Sequence, residues 1–111
     1  MIRVDAIWLS REPLDMRAGP ETALARVIQS FGAARPHHAY VFANKRANRM
    51  KILVCDGFGI WLAARRLHRG KFTWTPLRTG EAVALDDSQL QALISGLPWQ
   101  YAGSDFVIDR Q

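Results

Sequence analysis

The chain has 111 residues, which suits one domain with a single core. Fifteen Lys and Arg residues against ten Asp and Glu give a formal net charge of +5, which favours a nucleic-acid or acidic partner. The single cysteine excludes an internal disulfide and a cysteine-based zinc site. The sequence starts without a signal-peptide pattern and contains no apolar run near the ~20 residues that span a bilayer. We therefore expect a cytoplasmic protein that has no membrane segment.

The first part of the chain carries strand, helix and strand patterns in that order. Apolar and polar side chains alternate from Ile2 to Leu9, which predicts a strand. After a loop over residues 10–19, a helix is predicted from Pro20 to Phe31, because proline suits the first helical position. Gly32 is the expected left-handed stop of this helix. A short buried strand is predicted from Ala39 to Ala43.

The centre of the chain predicts a β-hairpin. Arg49 to Cys55 has a strand pattern, and Asp56 to Gly59 has turn chemistry, because glycine supplies the positive φ that a reversal needs. The opposed pairs are then Cys55–Ile60, Leu53–Leu62, Lys51–Ala64 and Arg49–Arg66. These pairs share one face, which is apolar near the turn and basic at the open end. Residues 60–68 are read as the returning strand, with a helix as the alternative that their Ala and Arg content favours.

The last helix of the chain is predicted by a capping box. Asp86 is followed three residues later by Gln89, a pattern in which each side chain accepts from the backbone N–H of the other residue. Gly96 and Pro98 are expected to end this helix. Its predicted buried face consists of Leu90, Leu93, Ile94 and Leu97.

Three further segments are predicted as strands: Phe72 to Thr75, Val83 to Leu85, and Asp105 to Ile108. The predicted fold is α+β, with a mostly antiparallel sheet of four to five strands and two helices on one side of it. The hairpin around Asp56–Gly59 belongs to this sheet. One domain is expected over residues 1–100, followed by a C-terminal tail over residues 101–111.

Basic side chains are concentrated between Asn44 and Arg78. This segment holds nine of the fifteen Lys and Arg residues and one acid, for a net charge of +8, whereas the other 76 residues sum to −3. Such a field indicates contacts with phosphates, and Phe72 or Trp74, if exposed, would stack on unpaired bases. The candidate nucleic-acid-binding residues are Lys45, Arg46, Arg49, Lys51, Arg65, Arg66, Arg69 and Lys71.

The sequence offers little support for a catalytic centre. A metal-dependent nuclease needs two or three converging acids, and Asp5, Asp15 and Asp56 are the candidates. Asp56 suits the hairpin turn, and Asp15 lies two residues from Arg17, where a local ion pair is expected. Cys55 lies in a predicted strand and reads as a packed thiol rather than a nucleophile. We therefore expect no enzymatic activity, no bound metal and no cofactor.

Several runs resemble the small TnpB accessory proteins, encoded by the second reading frame, of the insertion sequence sixty-six group of bacterial mobile elements. The runs are Asp15-Met16-Arg17 with Gly19, Phe42 through Leu53, Asp56 through Leu62, Arg66-Leu67 with Gly70, Phe72 and Trp74, and Leu90 through Trp99. The similarity covers about residues 2–100. It implies a role in transposition beside a separate, larger transposase that carries the catalytic acids. Cys55 and Ala63-Ala64 stand where family members often carry aromatic residues, which weakens a stacking role for that face of the hairpin.

Three hypotheses follow for the function. The first is a non-catalytic accessory factor that contacts DNA at the element ends through residues 44–78, together with the transposase. The second is an adaptor whose basic face docks on an acidic surface of the transposase without contacting DNA. The third is the metal-dependent nuclease. The sequence leaves open whether the nucleic acid is DNA or RNA, and whether the protein is a monomer or a homodimer.

Overall fold

The computed structural model describes residues 2–10, 12–73 and 83–99. In chain order the elements are β1 (Ala6–Leu9), α1 (Pro20–Phe31), β2 (His38–Ala43), β3 (Arg49–Cys55), β4 (Ile60–Arg66), β5 (Val83–Leu85) and α2 (Asp87–Ile94). The predicted ends of α1, β3 and β5 are confirmed, and residues 60–66 form a strand rather than a helix. No helix in these described ranges is long and apolar enough to cross a membrane.

Two predicted strands differ substantially from the structure; in addition, β2 begins one residue before the predicted Ala39, and β4 ends at Arg66 rather than at residue 68. The first is shorter, because its ladder begins where Ala6 pairs with His38, and Ile2 and Val4 before it are exposed. Phe72 belongs to no strand: its N–H donates to the Ala47 carbonyl over 2.6 Å, and its side chain is buried in the core. Thr73 also belongs to no strand, and residues 74–75 of that segment and the strand predicted over residues 105–108 lie outside the described residues.

The five strands form one sheet in the order β4-β3-β2-β1-β5. Only β1 and β2 pair in parallel, and α1 supplies the long connection that a parallel pair requires. The other three pairings are antiparallel, which confirms the predicted α+β class and the mostly antiparallel sheet. The predicted hairpin register is also confirmed, from Cys55 opposite Ile60 to Arg49 opposite Arg66.

The prediction that both helices lie on one side of the sheet is wrong. On one face, Val27 of α1 packs with Tyr40 and Phe42 of β2. On the other face, Leu93 of α2 packs in a core that includes Val41. Successive strand residues point to opposite faces, so a strand as uniformly apolar as β2 needs cover on both. The helices supply that cover from opposite sides.

The capping box of α2 is confirmed, and it leads to a stability prediction. The Asp86 carboxylate accepts from the Gln89 N–H over 2.8 Å, and Gln89 Oε1 accepts from the Asp86 N–H over 2.9 Å. Leu93 is fully buried, but Leu97 lies beyond the helix and is 55% exposed, so it does not extend the buried face. Asp86→Ala is expected to lower the free energy of unfolding by about 1 kcal/mol in urea titrations. The control Asp87→Ala, at an exposed acid in the first turn, should lower it less, and equal losses would contradict the capping role.

Candidate nucleic-acid interface

The side chain of one asparagine makes three hydrogen bonds across the turn between β2 and β3. Asn44 Oδ1 accepts from the N–H groups of Asn48 and Arg49, each over 3.1 Å, and Asn44 Nδ2 donates to Asn48 Oδ1 over 2.7 Å. This network fixes the backbone of Lys45 and Arg46, whose side chains are exposed. Both cations therefore project into solvent from a defined position beside β3.

The open end of the β3–β4 hairpin brings two arginines face to face. Arg49 and Arg66 are directly opposed, and Lys51 opposite Ala64 follows on the same face. The next pair outward is hydrogen-bonded, because Leu67 N–H donates to the Asn48 carbonyl over 3.0 Å. The two arginines thus form a non-hydrogen-bonded pair, in which Cα atoms are only about 4.5 Å apart. Like charges placed directly opposite each other destabilise a sheet.

Two adjoining depressions run across this end of the molecule. One, of about 510 Å³, lies between residues 13–16 and residues 44–49. The other, of about 390 Å³, lies along residues 49–51 and 64–66, and the two share Met16 and Arg49. Six of the eight predicted cations line them, and this set defines the basic groove: Lys45, Arg46, Arg49, Lys51, Arg65 and Arg66.

Two residues of the basic groove also tie it to the helices. Lys51 Nζ donates to the Ala18 carbonyl, just before α1, over 2.7 Å. Arg65 Nε donates to the Ile94 carbonyl at the end of α2 over 2.6 Å. Arg65 opposes Met50 and so lies on the α2 face, whereas the other strand cations of the groove lie on the α1 face. Substituting either residue would therefore disturb the fold as well as the charge.

The remaining two predicted cations lie outside the basic groove. Arg69 and Lys71 are exposed in the segment that follows β4. Hydrogen bonds hold this segment at both ends: Leu67 N–H donates to the Asn48 carbonyl, and Phe72 N–H donates to the Ala47 carbonyl. It contributes positive charge at the same end of the sheet without lining either depression.

One carboxylate lines the basic groove. Asp15 accepts from Arg17 Nη2 over 2.8 Å, from Arg17 Nε over 3.1 Å and from the Arg17 N–H over 2.9 Å. These bonds lower the pKa of Asp15 to about 2, so it stays ionised at neutral pH. Within the described residues, no groove cation lies at ion-pair distance from a carboxylate. The groove cations therefore form no direct ion pair in the described part of the chain, although the charge of Lys51 contributes to the lowered pKa of Asp15.

Among the residues that the structure describes, no aromatic side chain is placed for base stacking in the groove. Phe72 is 3% exposed, so the stacking role considered for it is excluded. Trp74 lies outside the described residues. Trp61 is 52% exposed and Phe58 fully exposed, but both lie at the turn end of the hairpin, away from the groove. The described residues of the basic groove would therefore act through charge and hydrogen bonding.

The three acids considered for a nuclease do not converge. Asp56 Oδ1 accepts from the N–H groups of Phe58 and Gly59, each over 2.8 Å, and these bonds lower its pKa. Asp5 pairs with Arg3 over 2.9 Å. Asp5 lies near the start of β2, and Asp15 lies near its end. Over residues 2–10, 12–73 and 83–99, no group of three or more His, Cys, Asp or Glu could hold a metal ion.

The environment of Cys55 agrees with a packed thiol rather than a nucleophile. Cys55 is partly buried at the end of β3, and burial raises the pKa of its thiol. A raised pKa keeps the group protonated at neutral pH, and the thiolate is the reactive form. This side chain packs beside the α1 core.

Sequence reasoning missed one wall of the groove. Asp15 and Met16 belong to the loop between β1 and α1, and Leu14 N–H fastens this loop to the Ala43 carbonyl over 2.9 Å. Neither residue belongs to the basic cluster, and a long-range contact of a loop leaves no periodic signal. The available hint was that both residues belong to the run Asp15-Met16-Arg17 of the family resemblance.

Comparisons with known proteins agree with that resemblance. A family described as "IS66 Orf2 like protein" matches residues 5–104. The uncharacterized protein y4hO of Sinorhizobium fredii is 34% identical over 98 residues, covering 86% of this chain and 83% of the relative. The uncharacterized protein y4jC of the same organism is 30% identical over 95 residues, covering 84% and 80%. No solved structure shows a significant match. The family match confirms the resemblance.

Proposed function

Because the chain belongs to the IS66 Orf2-like family of transposition accessory proteins, we propose that it binds DNA at the element ends through the basic groove, without cutting it. It does so in the cytoplasm, together with a separate transposase. The observation that carries this proposal is the opposed pair of arginines at the open end of the hairpin. Cations placed this close oppose folding unless an anion lies between them.

The chemistry of the groove suits phosphate better than base edges. Each guanidinium offers donors in a planar fork that matches phosphate oxygens, and Lys45 adds a flexible point charge. Contacts to the DNA backbone release counterions and give affinity without reading sequence. Selection of the element ends would then come from the transposase.

A titration of the wild-type protein against salt tests the proposal. The probe is a fluorescent duplex carrying the element's terminal repeat, and an unrelated duplex of equal length is the comparison. Four phosphate contacts would give a slope of about −3.6 in log affinity against log salt, or about a 150-fold loss between ~50 and ~200 mM. Affinity that does not fall with salt would contradict phosphate binding.

Asp15→Asn is expected to strengthen DNA binding. The substitution removes the carboxylate in the groove and leaves the Arg17 charge uncompensated, while the amide oxygen can still accept from the Arg17 N–H. The gain should be about two- to fivefold at ~50 mM salt, because an exposed ion pair is worth under about 1 kcal/mol, and less at ~200 mM. Asp87→Asn, which removes an exposed acid from α2, is the control, and an equal gain there would contradict a local effect.

An adaptor role is the second candidate function. Phe58, Ile60 and Trp61 are exposed together at the turn end of the hairpin, and aromatic residues are enriched at protein interfaces. A pull-down of the transposase from nuclease-treated solution, combined with no DNA binding by this chain, would favour the adaptor. Capture that needs added DNA would favour the first proposal.

A further inference from the structure

The strand β4 forms one edge of the sheet that the described residues build, and it has few of the features that usually protect an edge. It pairs with β3 over seven consecutive residues without a bulge, and six of its seven residues are exposed. Edge strands are commonly blunted by proline, by bulges or by charges along their length. The charges of β4 are confined to Arg65 and Arg66 at its end, and Ile60, Trp61 and Leu62 at its start are apolar.

The hairpin hydrogen bonds show which backbone groups of β4 point away from β3. Asp56 N–H donates to the Gly59 carbonyl at the turn, and Leu67 N–H donates to the Asn48 carbonyl at the open end, each over 3.0 Å. Both bonds belong to the same strand register. Hydrogen-bonded pairs recur at every second position between these ends. The positions whose backbone groups point away from β3 are therefore Ile60, Leu62, Ala64 and Arg66. Among the described residues, these outward groups form no backbone hydrogen bond.

We propose that β4 pairs antiparallel with β4 of a second copy of this chain, with Ala63 facing Ala63 across a two-fold axis. In this register the outward backbone groups of the two copies face each other. Those of Ile60 face those of Arg66 in the second copy, and those of Leu62 face those of Ala64. All seven residues of β4 are paired, and the two sheets become one. The pairing does not depend on DNA binding, so either proposal can fail alone.

The side chains favour this arrangement over its alternatives. Trp61 faces Arg65 of the second copy on the α2 face, where the indole offers its ring face to the guanidinium. On the α1 face, Leu62 covers Ala64 and Ile60 packs along the stem of Arg66. No two cations are opposed. A parallel pairing would instead place the two arginines of one copy beside those of the other, which is unfavourable.

The pairing also positions the two basic grooves. A two-fold axis perpendicular to the sheet keeps both α1 faces on the same side. Arg49 and Lys51 of β3 then lie on either side of a central pair of β4 strands, so the two β3 strands are about 15 Å apart. The dimer presents two copies of the groove on one surface.

Sedimentation of the full chain without DNA tests the pairing. We expect a dimer with a Kd between about 1 and 100 µM, the range of weak interfaces. Ala63→Lys places two cations at the two-fold axis and should raise the dimer Kd at least about tenfold. The matched control is Ala84→Lys on β5, an exposed alanine in the strand at the other edge of the described sheet, which should leave the Kd unchanged.

A charge-complementation experiment separates a broken interface from a damaged fold. Ala63→Glu alone should also weaken the dimer, and an equimolar mixture of Ala63→Lys and Ala63→Glu should restore it, because only the mixture places opposite charges at the axis. A wild-type chain that stays monomeric at ~100 µM overturns the pairing, whether the edge is free or covered by residues outside the described ranges. A dimer that Ala63→Lys leaves intact, or a mixture that fails to dimerise, overturns it as well.

Discussion

Arg49→Glu is expected to weaken DNA binding while it stabilises the fold. Arg49 lines both depressions of the basic groove and opposes Arg66, so the substitution turns a repulsive cross-strand pair into an attractive one. The free energy of unfolding should rise by up to about 1 kcal/mol. DNA affinity should fall about tenfold to a hundredfold, because a charged hydrogen bond worth about 1.5–3 kcal/mol is lost. The salt slope should become shallower by about 1.

The two opposite effects make this variant informative. A variant that binds DNA less well because it is partly unfolded would show a lower DNA affinity together with a lower free energy of unfolding. The matched control is Arg35→Glu, which reverses an exposed charge in the connection between α1 and β2, outside the basic groove. Fluorescence anisotropy gives the affinity, and urea titration gives the stability. Equal losses of affinity in the two variants would point to net charge rather than to the groove.

Phe42→Ala and Val41→Ala are both expected to destabilise the protein strongly. These neighbours in β2 point to opposite faces, Phe42 toward α1 and Val41 toward α2, and both are fully buried. Phe42→Ala should cost about 3–5 kcal/mol. Val41→Ala should cost about 1.5–3 kcal/mol, because a fully buried side chain of this size contributes that much.

The pair of substitutions tests whether both faces of the sheet are covered. With both helices on one side, one of the two side chains would be exposed and its loss would matter little. Ile28→Ala is the control, because Ile28 is 49% exposed on α1 and its truncation should change stability by less than about 0.5 kcal/mol. Urea titrations with unchanged m-values would show that the variants remain two-state. A near-neutral Val41→Ala would contradict the second core.

The elements that could be predicted from sequence are those set by local chemistry. Pro20 and Gly32 mark the ends of α1, and Asp86 with Gln89 marks the start of α2. The Asp56–Gly59 turn fixes the register of the hairpin, because two strands joined by a tight turn can pair in one way. This register also places Arg65 on the face opposite Arg49, because successive side chains of a strand point to opposite faces.

The features that could not be predicted depend on contacts between distant segments. Which face of the sheet a helix covers depends on tertiary packing, and a uniformly apolar strand such as β2 does not show it. The segment that begins at Phe72 has a strand-like composition, but the N–H of Phe72 donates to the Ala47 carbonyl in the turn between β2 and β3. The wall of the groove at Asp15 and Met16 is formed by a loop more than thirty residues from Arg49 in sequence. Such contacts leave no local pattern.

The position of β1 between β2 and β5 has a consequence for how the chain folds during synthesis. The β3–β4 hairpin can close within microseconds once it is made, because its strands are adjacent in sequence. Ile7 of β1, in contrast, pairs with Ala39 on one side and with Leu85 on the other, 78 residues later. At about 5–20 residues per second, this second neighbour emerges roughly 4–16 s after β1. The first strand made is therefore among the last to be enclosed, and it is the strand most open to mispairing on the ribosome.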